Sequence, residues 1–435
     1  MKYICQVLLI ISLTFLISSC EGIGQSPKTV KKEIVELKFW GEGSREYFDK
    51  EIAEPIKAQF PNIKLTLLMK HNLKLAIDEN VVPDIMLEPV YGQQSESVQL
   101  GLQLDLTNYI KVNALDTSHF EPGVLEDEPI SSLPFTRTHY VLSYNKALFD
   151  SLGIDYPTDG MTWDETLKLA AKLKTAGKGK SSLYGLYLTQ SDIPIIASQL
   201  SLTFVDPVTN EPTLMDKRWD QLFQLWKSAD TAPYYRDNEN SHVYYETLVS
   251  PTKEIAMSIV PAYWNANGIT TSLVSLPVFT DNPRGGADAA STTLSISKQS
   301  KHKDQAFQVI QYLVSDEFQM QIANKGQFSS LNKTIIADSF GSKVPGITKE
   351  MINSLNYNDL AVRVKRSKFD HFQDYLIKAG AISHVIDTSI PYWEAFDHLK
   401  KGEDKQKVLR GLTISLKYSV DSIKDTAEEY RKKLD

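Results

Sequence analysis

Between residues 35 and 87 the chain reads as strand, helix, strand and strand, and that order constrains its fold more than any other feature. Val35, Leu37 and Phe39 alternate with Glu36 and Lys38, the period of a half-buried strand. Phe48, Ile52, Ile56 and Phe60 then recur every four residues, which marks one face of a helix bent at Pro55 and stopped at Pro61. Ile63, Leu65, Leu67 and Met69 alternate again, and residues 82–87 read as a short buried third strand. Strands joined this way favour a parallel sheet with helices on its faces, so the class is α/β.

The rhythm continues. Residues 133–145 are strand-like through Pro134, and Thr162-Trp163-Asp164-Glu165 forms a capping box that opens a helix carrying Leu169 and Leu173. Residues 184–188 read as a strand. Residues 216–229 read as a helix with Trp219, Leu222, Phe223 and Trp226 on one side, a spacing that belongs to a core. Residues 254–259 form a short apolar run. Strands at 272–279 and 292–296 flank a polar turn at 281–286. Ala306, Ile310 and Leu313 mark another helix, Ser315-Asp316-Glu317 caps the next, and the tail from Asp359 is polar and helical in pattern.

The amino-terminal segment reads as an address. Lys2 is the one charge before Cys20, and residues 7–17 are almost continuously apolar. A core of that length suits a signal peptide and is too short to span a bilayer. Ile17-Ser18-Ser19-Cys20 resembles a bacterial lipobox, which implies cleavage of residues 1–19 and acylation of the Cys20 thiol. An ordinary secretory signal with a chance Cys is the alternative. Residues 20–33 then form a flexible tether. The two cysteines are Cys5 and Cys20, so the body of the chain has no thiol for a disulfide, a metal or nucleophilic catalysis. A hydrophobic fraction of 42% and a charged fraction of 23% describe a soluble body. A formal charge of −7 supplies no general attraction to nucleic acid or anionic lipid.

Several motifs together resemble family 1 extracellular solute-binding proteins, the group that includes maltose-binding proteins. They are Pro83-Asp84-Ile85, Tyr144-Asn145-Lys146-Ala147-Leu148-Phe149, Thr162-Trp163-Asp164-Glu165 and Glu254-Ile255-Ala256-Met257 followed by Trp264. Behind them come Lys303-Asp304-Gln305-Ala306, Tyr312-Leu313, Ser315 to Gln319, and Ser329-Ser330-Leu331. The resemblance implies a two-lobed periplasmic-binding-protein fold, each lobe a mostly parallel sheet flanked by helices, with a multi-strand hinge. Crossings are expected within residues 133–141 and 272–293. Lobe one is then 34–138 plus 276–337, and lobe two 139–275 plus 338–435. The implied activity is capture of a sugar, an oligosaccharide or a similar polar solute for an ABC import permease. The protein would be a monomer anchored by lipid on the outer face of the cell membrane, with no catalytic residue, metal or cofactor.

A sugar site needs aromatic plates for apolar ring faces and planar polar groups for hydroxyls, and ligands of α/β sheets sit beyond the carboxyl ends of strands. That rule selects Trp40 as a stacking plate and Glu42 as a hydroxyl acceptor, with Gly41 and Gly43 allowing close backbone approach. It also selects Glu88 and Tyr91 after the third strand, Arg137 at the crossing, and Asp192 after Leu188. Trp264 with Asn265 is the strongest pair from lobe two, and Asp288 follows Gly285-Gly286. Each also has an ordinary reading: a core Trp, a solvated acid, an ion-paired Arg, a simple Gly turn. His139 beside Arg137 reads better as structural. Tyr234, Tyr235, Tyr244 and Tyr245 would suit a cleft mouth. Two rivals stand beside the importer subunit: an envelope lipoprotein that senses solute without transport, and a secreted carbohydrate hydrolase using an Asp/Glu pair.

Overall fold

The computed structural model describes residues 33–41, 44–68, 73–90, 96–120, 125, 129–180, 182–189, 192–231, 254–262, 272–288, 291–356, 358–361 and 392–434. The first part of the chain runs β1 (Val35–Gly41), α1 (Arg45–Tyr47), a wide π-type turn (Phe48–Ala53) and α2 (Glu54–Gln59). It continues through β2 (Ile63–Leu68), α3 (Leu73–Asp78), β3 (Ile85–Val90), α4 (Glu96–Gln99), α5 (Thr107–Val112) and β4 (Ser132–Arg137). The helix expected to bend at Pro55 instead continues through it, and the wide turn at Phe48–Ala53 just before it accommodates the donor that Pro55 lacks. The third strand begins at Ile85, later than its apolar pattern suggests. Pro83 has no donor, and the Asp84 carboxylate accepts the Lys38 N–H at 2.8 Å and the Ser300 hydroxyl at 2.5 Å.

The second part comprises β5 (Tyr140–Tyr144), α6 (Lys146–Leu152), α7 (Trp163–Ala176), β6 (Leu183–Tyr184), β7 (Tyr187–Leu188), α8 (Asp192–Gln199) and α9 (Trp219–Ser228). Then come β8 (Asp230–Thr231), β9 (Glu254–Ile255), β10 (Met257–Pro261) and β11 (Ser272–Ser275). The capping box at α7 forms as read, with the Thr162 hydroxyl and the Glu165 carboxylate exchanging bonds with each other's backbone. The single strand expected at 184–188 is split. Gly185 lies so close to α7 that a Cβ there would meet Ala170 backbone at 2.6 Å, and the kink sends β6 to β9 and β7 to β10.

The remainder is β12 (Gly285–Asp288), β13 (Ser291–Ile296), α10 (Lys303–Leu313), α11 (Asp316–Asn324), β14 (Phe328–Ser329) and α12 (Thr334–Ala337). After these come α13 (Lys349–Leu355), β15 (Asp359–Ala361), α14 (Tyr392–Lys400) and α15 (Lys405–Leu434). The expected turn at 281–286 ends in a strand, because β12 pairs in parallel with β15. Two glycines leave no side-chain alternation to read, and β15 likewise interrupts a tail read as helical.

Two mixed sheets organise the molecule: six strands in the order β14-β4-β13-β3-β1-β2, and five in the order β11-β5-β10-β7-β8. The two-lobed α/β class holds, but the sheets are mixed where mostly parallel ones were expected. β13 runs antiparallel to both β3 and β4, and β5 antiparallel to both β10 and β11. Each sheet has its own core. Leu37, Phe39, Ile85, Phe135, Leu294, Phe307 and Ile310 belong to the first, and Leu142, Trp163, Leu188, Ile196, Trp219, Trp226 and Phe396 to the second. Each such side chain contributes about 1.5–3 kcal/mol by leaving water. A smaller cluster of Val141, Ala262, Leu273, Phe328, Phe340 and Leu355 joins strands of both sheets.

Candidate functional site

Residues 138 and 139 are all that separates β4 of the first sheet from β5 of the second. β1 and β3 are parallel, and β3 and β4 are both antiparallel to β13, so β1, β3 and β4 all end on the edge that carries the crossing. In the second sheet Pro261 at the end of β10 lies opposite Tyr140, and the end of β11, Ser275, lies opposite Val141. The Ala262 N–H donates to the His139 carbonyl at 2.7 Å. β7 and β8 run parallel to β10. The carboxyl ends of strands from both sheets therefore converge on one crossing, the place where α/β folds bind ligands.

Several expected site residues follow those ends directly. Glu42 comes after Gly41 of β1, Tyr91 after Val90 of β3, and Trp264 with Asn265 shortly after Ala262. These four, together with Cys20 and Tyr234, Tyr235, Tyr244 and Tyr245, lie outside the described residues. Asp288 closes β12, with its Cα in register with Ala361.

The remaining expected residues are placed in the interior or at the hinge. Trp40 is only 8% exposed and packs with Leu73, Ile77, Met86, Leu100, Leu102 and Tyr430. The expected stacking plate is a packing residue here, because β1 sends Leu37 and Phe39 to one covered face and Trp40 to a second. Glu88 is 2% exposed. Its carboxylate accepts the Ser97 N–H at 3.0 Å and the Ser97 hydroxyl, and Ser97 in turn accepts from Gln103 Nε2 at 2.9 Å. It anchors α4 from inside lobe one, a role that the alternation of β3 did not reveal.

Asp192 is 1% exposed. Its Oδ2 accepts the Thr189 N–H at 2.6 Å and the Thr189 hydroxyl at 2.9 Å. Thr189 and Asp192 have the spacing of a capping box, a local signal available in the sequence and missed there. Burial pushes the Asp192 carboxyl up to about 7, against the two bonds from Thr189 that lower it. Its Oδ1 is buried without a hydrogen-bond partner.

Arg137 and His139 fasten the crossing. Arg137 Nε donates to the Ser329 carbonyl at 2.7 Å, tying β4 to the edge strand β14. The His139 ring stacks on Phe328 at 4.2 Å, and Phe328 stacks on Phe340 at 4.2 Å. His139 Nδ1 lies 3.4 Å from the Leu355 carbonyl at the end of α13. Although the residue as a whole is half-buried, Nε2 is shut off from water. Burial, and then the neighbouring Arg137 guanidinium, push His139 down to about 3, so the imidazole is neutral. The crossing borders a cavity of about 200 Å³ lined by Arg137, Phe328, Asn332, Thr334, Phe340 and Asn356.

Gln319 braces the lobe-one side of the crossing. It is fully buried. Its Nε2 donates to the Phe135 and Leu313 carbonyls at 3.0 and 2.9 Å, and its Oε1 accepts the Ser329 hydroxyl at 2.6 Å and the Ser330 N–H at 3.2 Å. The Ser330 hydroxyl reaches the Pro134 carbonyl at 2.8 Å. The run from Ser315 to Gln319 and the Ser329-Ser330-Leu331 segment, read as separate motifs, are thus one network. Among the described residues, no group of three or more His, Cys, Asp or Glu side chains is placed to hold a metal ion. No helix among them is long and apolar enough to cross a membrane.

The comparisons with known proteins agree with this architecture. A family model described as bacterial extracellular solute-binding protein matches residues 42–320. A sugar transporter from Rhizobium etli in an open conformation has a TM-score of 0.63 at 21% identity, covering 88% of this chain and 99% of its own. An ABC substrate-binding protein from Listeria monocytogenes in complex with cycloalternan has a TM-score of 0.63 at 17% identity, covering 91% and 99%. UgpB from Mycobacterium tuberculosis in complex with glycerophosphocholine has a TM-score of 0.63 at 14% identity, covering 90% and 99%.

Proposed function

This chain belongs to the family of bacterial extracellular solute-binding proteins, and from that premise we propose that it captures a sugar or oligosaccharide between its lobes and hands it to an ABC import permease. The observation that carries the reading is the convergence of strand ends from both sheets on the crossing at residues 138–139. The sequence that continues from those ends carries Glu42, Tyr91, Trp264 and Asn265, which would serve as hydroxyl acceptor, aromatic plates and amide. Trp264 replaces Trp40 as the main stacking plate, since Trp40 is enclosed. Asp192 is enclosed as Trp40 is and drops out as a direct contact, while Asp288 at the end of β12 would add a polar group. The solute bridges the lobes and stabilises the form in which both contact it; no bond is broken. Cys20 carries the lipid that keeps the protein on the outer face of the membrane, and the monomer is the working unit.

A thermal-shift panel tests the solute class. Bound solute raises stability by RT ln(1 + [L]/Kd), about 2.7 kcal/mol at a hundredfold excess over Kd. At least one mono- or oligosaccharide is expected to raise Tm in proportion to its logarithmic concentration, and Trp264→Ala to abolish the rise. The sugar reading is overturned if no saccharide acts while glycerophosphocholine, the ligand of one structural neighbour, does. Mass spectrometry of the membrane-extracted protein tests the anchor: a mature chain beginning at an acylated Cys20 is expected, and an unmodified Cys20 contradicts it.

A further inference from the structure

The last helix is built into both lobes. Val408, Leu409, Leu412, Leu416 and Val420 of α15 belong to the lobe-two core, on one face at helical spacing. Ten residues beyond Val420, about 15 Å along the helix, Tyr430 belongs to the cluster that covers the second face of the lobe-one sheet. There its hydroxyl donates to Asp78 Oδ2 at 2.8 Å, and Lys433 Nζ donates to Asp78 Oδ1 at 3.1 Å. Asp78 ends α3, which follows the outermost strand of that sheet. Arg431 covers Gly101, where a Cβ would lie 3.3 Å from its Nε.

This joint is far from the crossing. In the strand order β4-β13-β3-β1, Trp40 on β1 lies three strands away, about 14 Å at 4.8 Å per strand. A rotation of roughly 20° about the crossing would shift a point that far from the axis by about 5 Å, beyond the reach of a hydrogen bond. The joint must then either lie on the rotation axis or open when the lobes move.

We propose that α15 is an interlobe stay: its final turns, held by Tyr430 and Lys433 to Asp78, restrict how far the lobes rotate about the crossing. The stay acts with or without solute, so it is independent of the sugar reading. Release of the tip widens the range of lobe orientations while the cores remain folded.

The test uses spin labels at Lys57→Cys in lobe one and Lys172→Cys in lobe two, in the full chain with Cys5→Ser and Cys20→Ser. Interlobe distances are measured without solute, and hydrogen exchange over residues 421–434 reports whether the tip is docked. In Tyr430→Ala, tip exchange is expected to rise at least tenfold and the distance distribution to broaden by several ångströms. Should that variant fail to fold, Tyr430→Phe combined with Asp78→Ala keeps the ring and removes both polar contacts, with the same expected direction. Faster tip exchange with an unchanged distance distribution overturns the proposal. So does unchanged tip exchange in the folded variants, because the Asp78 joint would then not be what holds the helix.

Discussion

At the crossing the lobes meet through enclosed groups, whereas at the tip of α15 a buried Tyr430 ring is joined to lobe one by polar contacts to a carboxylate at the surface. The His139 ring is caught between Phe328 and the Leu355 carbonyl, and on the lobe-one side Gln319 braces β4, which leads into the crossing, with all its capacity used by Phe135, Leu313, Ser329 and Ser330. Asp78 has its carboxylate in solvent, and two donors lower it from its ordinary value, Tyr430 first and Lys433 second. The difference teaches that place and range of motion are set separately. Enclosed, fully satisfied groups fix where the chain pivots, since no partial break is cheap there. At the tip the polar contacts to Asp78 open at little cost while the Tyr430 ring must leave its apolar cluster, a graded resistance that suits a limit on excursion.

Breaking the crossing is expected to cost most. Gln319→Ala leaves two carbonyls, a hydroxyl and an N–H without their partner, and is expected to lower the free energy of urea unfolding by about 3–4 kcal/mol. Phe328→Ala removes the ring stacked between His139 and Phe340, with an expected loss of about 3 kcal/mol. A loss below ~1 kcal/mol in either variant would mean that the crossing is not the rigid element described here.

The two shifted buried groups oppose each other in their pH dependence. Asp192 keeps its proton in the fold up to about 7, so its contribution is full below the ordinary Asp value and is lost as pH rises through that range. His139 stays neutral down to about 3, so its contribution is full above the ordinary His value and is lost as pH falls. Between about pH 4 and 6.5 the two slopes offset. Relative to the parent, Asp192→Asn is expected to gain stability as pH rises through that window, and His139→Gln to lose it, each by up to about 1.4 kcal/mol per pH unit. Urea unfolding at several pH values checks both signs. The smallest effect is expected at the far joint. Tyr430→Phe alone should leave the urea midpoint within error of the parent, because Asp78 stands in solvent; a large drop would make that joint part of the core.

Much of the scaffold was legible because its signals are local. The alternation of β1 and β2, the capping box of α7 and the apolar spacing of α9 each follow from side chains a few residues apart. The strands β12 and β15 were not, since two glycines carry no pattern and their pairing joins residues far apart in sequence. The hinge was legible only in pieces: Gln319 stands in a recognised motif, but its four partners come from β4, α10 and the segment that follows α11. Trp40 and Glu88 were selected as residues that follow the first and third strands, but both stand within those strands and serve the interior of lobe one. A residue at a strand end can point into the lobe as readily as out of it, and only the elements packed on that side, here α3, α4 and α15, decide. Asp192 carried a readable Thr-x-x-Asp cap, which holds its Oδ2 and turns the carboxylate into the interior.

Small-angle scattering with and without a saccharide that raises Tm bears most directly on the pivot at residues 138–139. A lower radius of gyration is predicted when the solute is bound, with the same change absent in Trp264→Ala. An identical scattering curve for the free and saturated protein would contradict it.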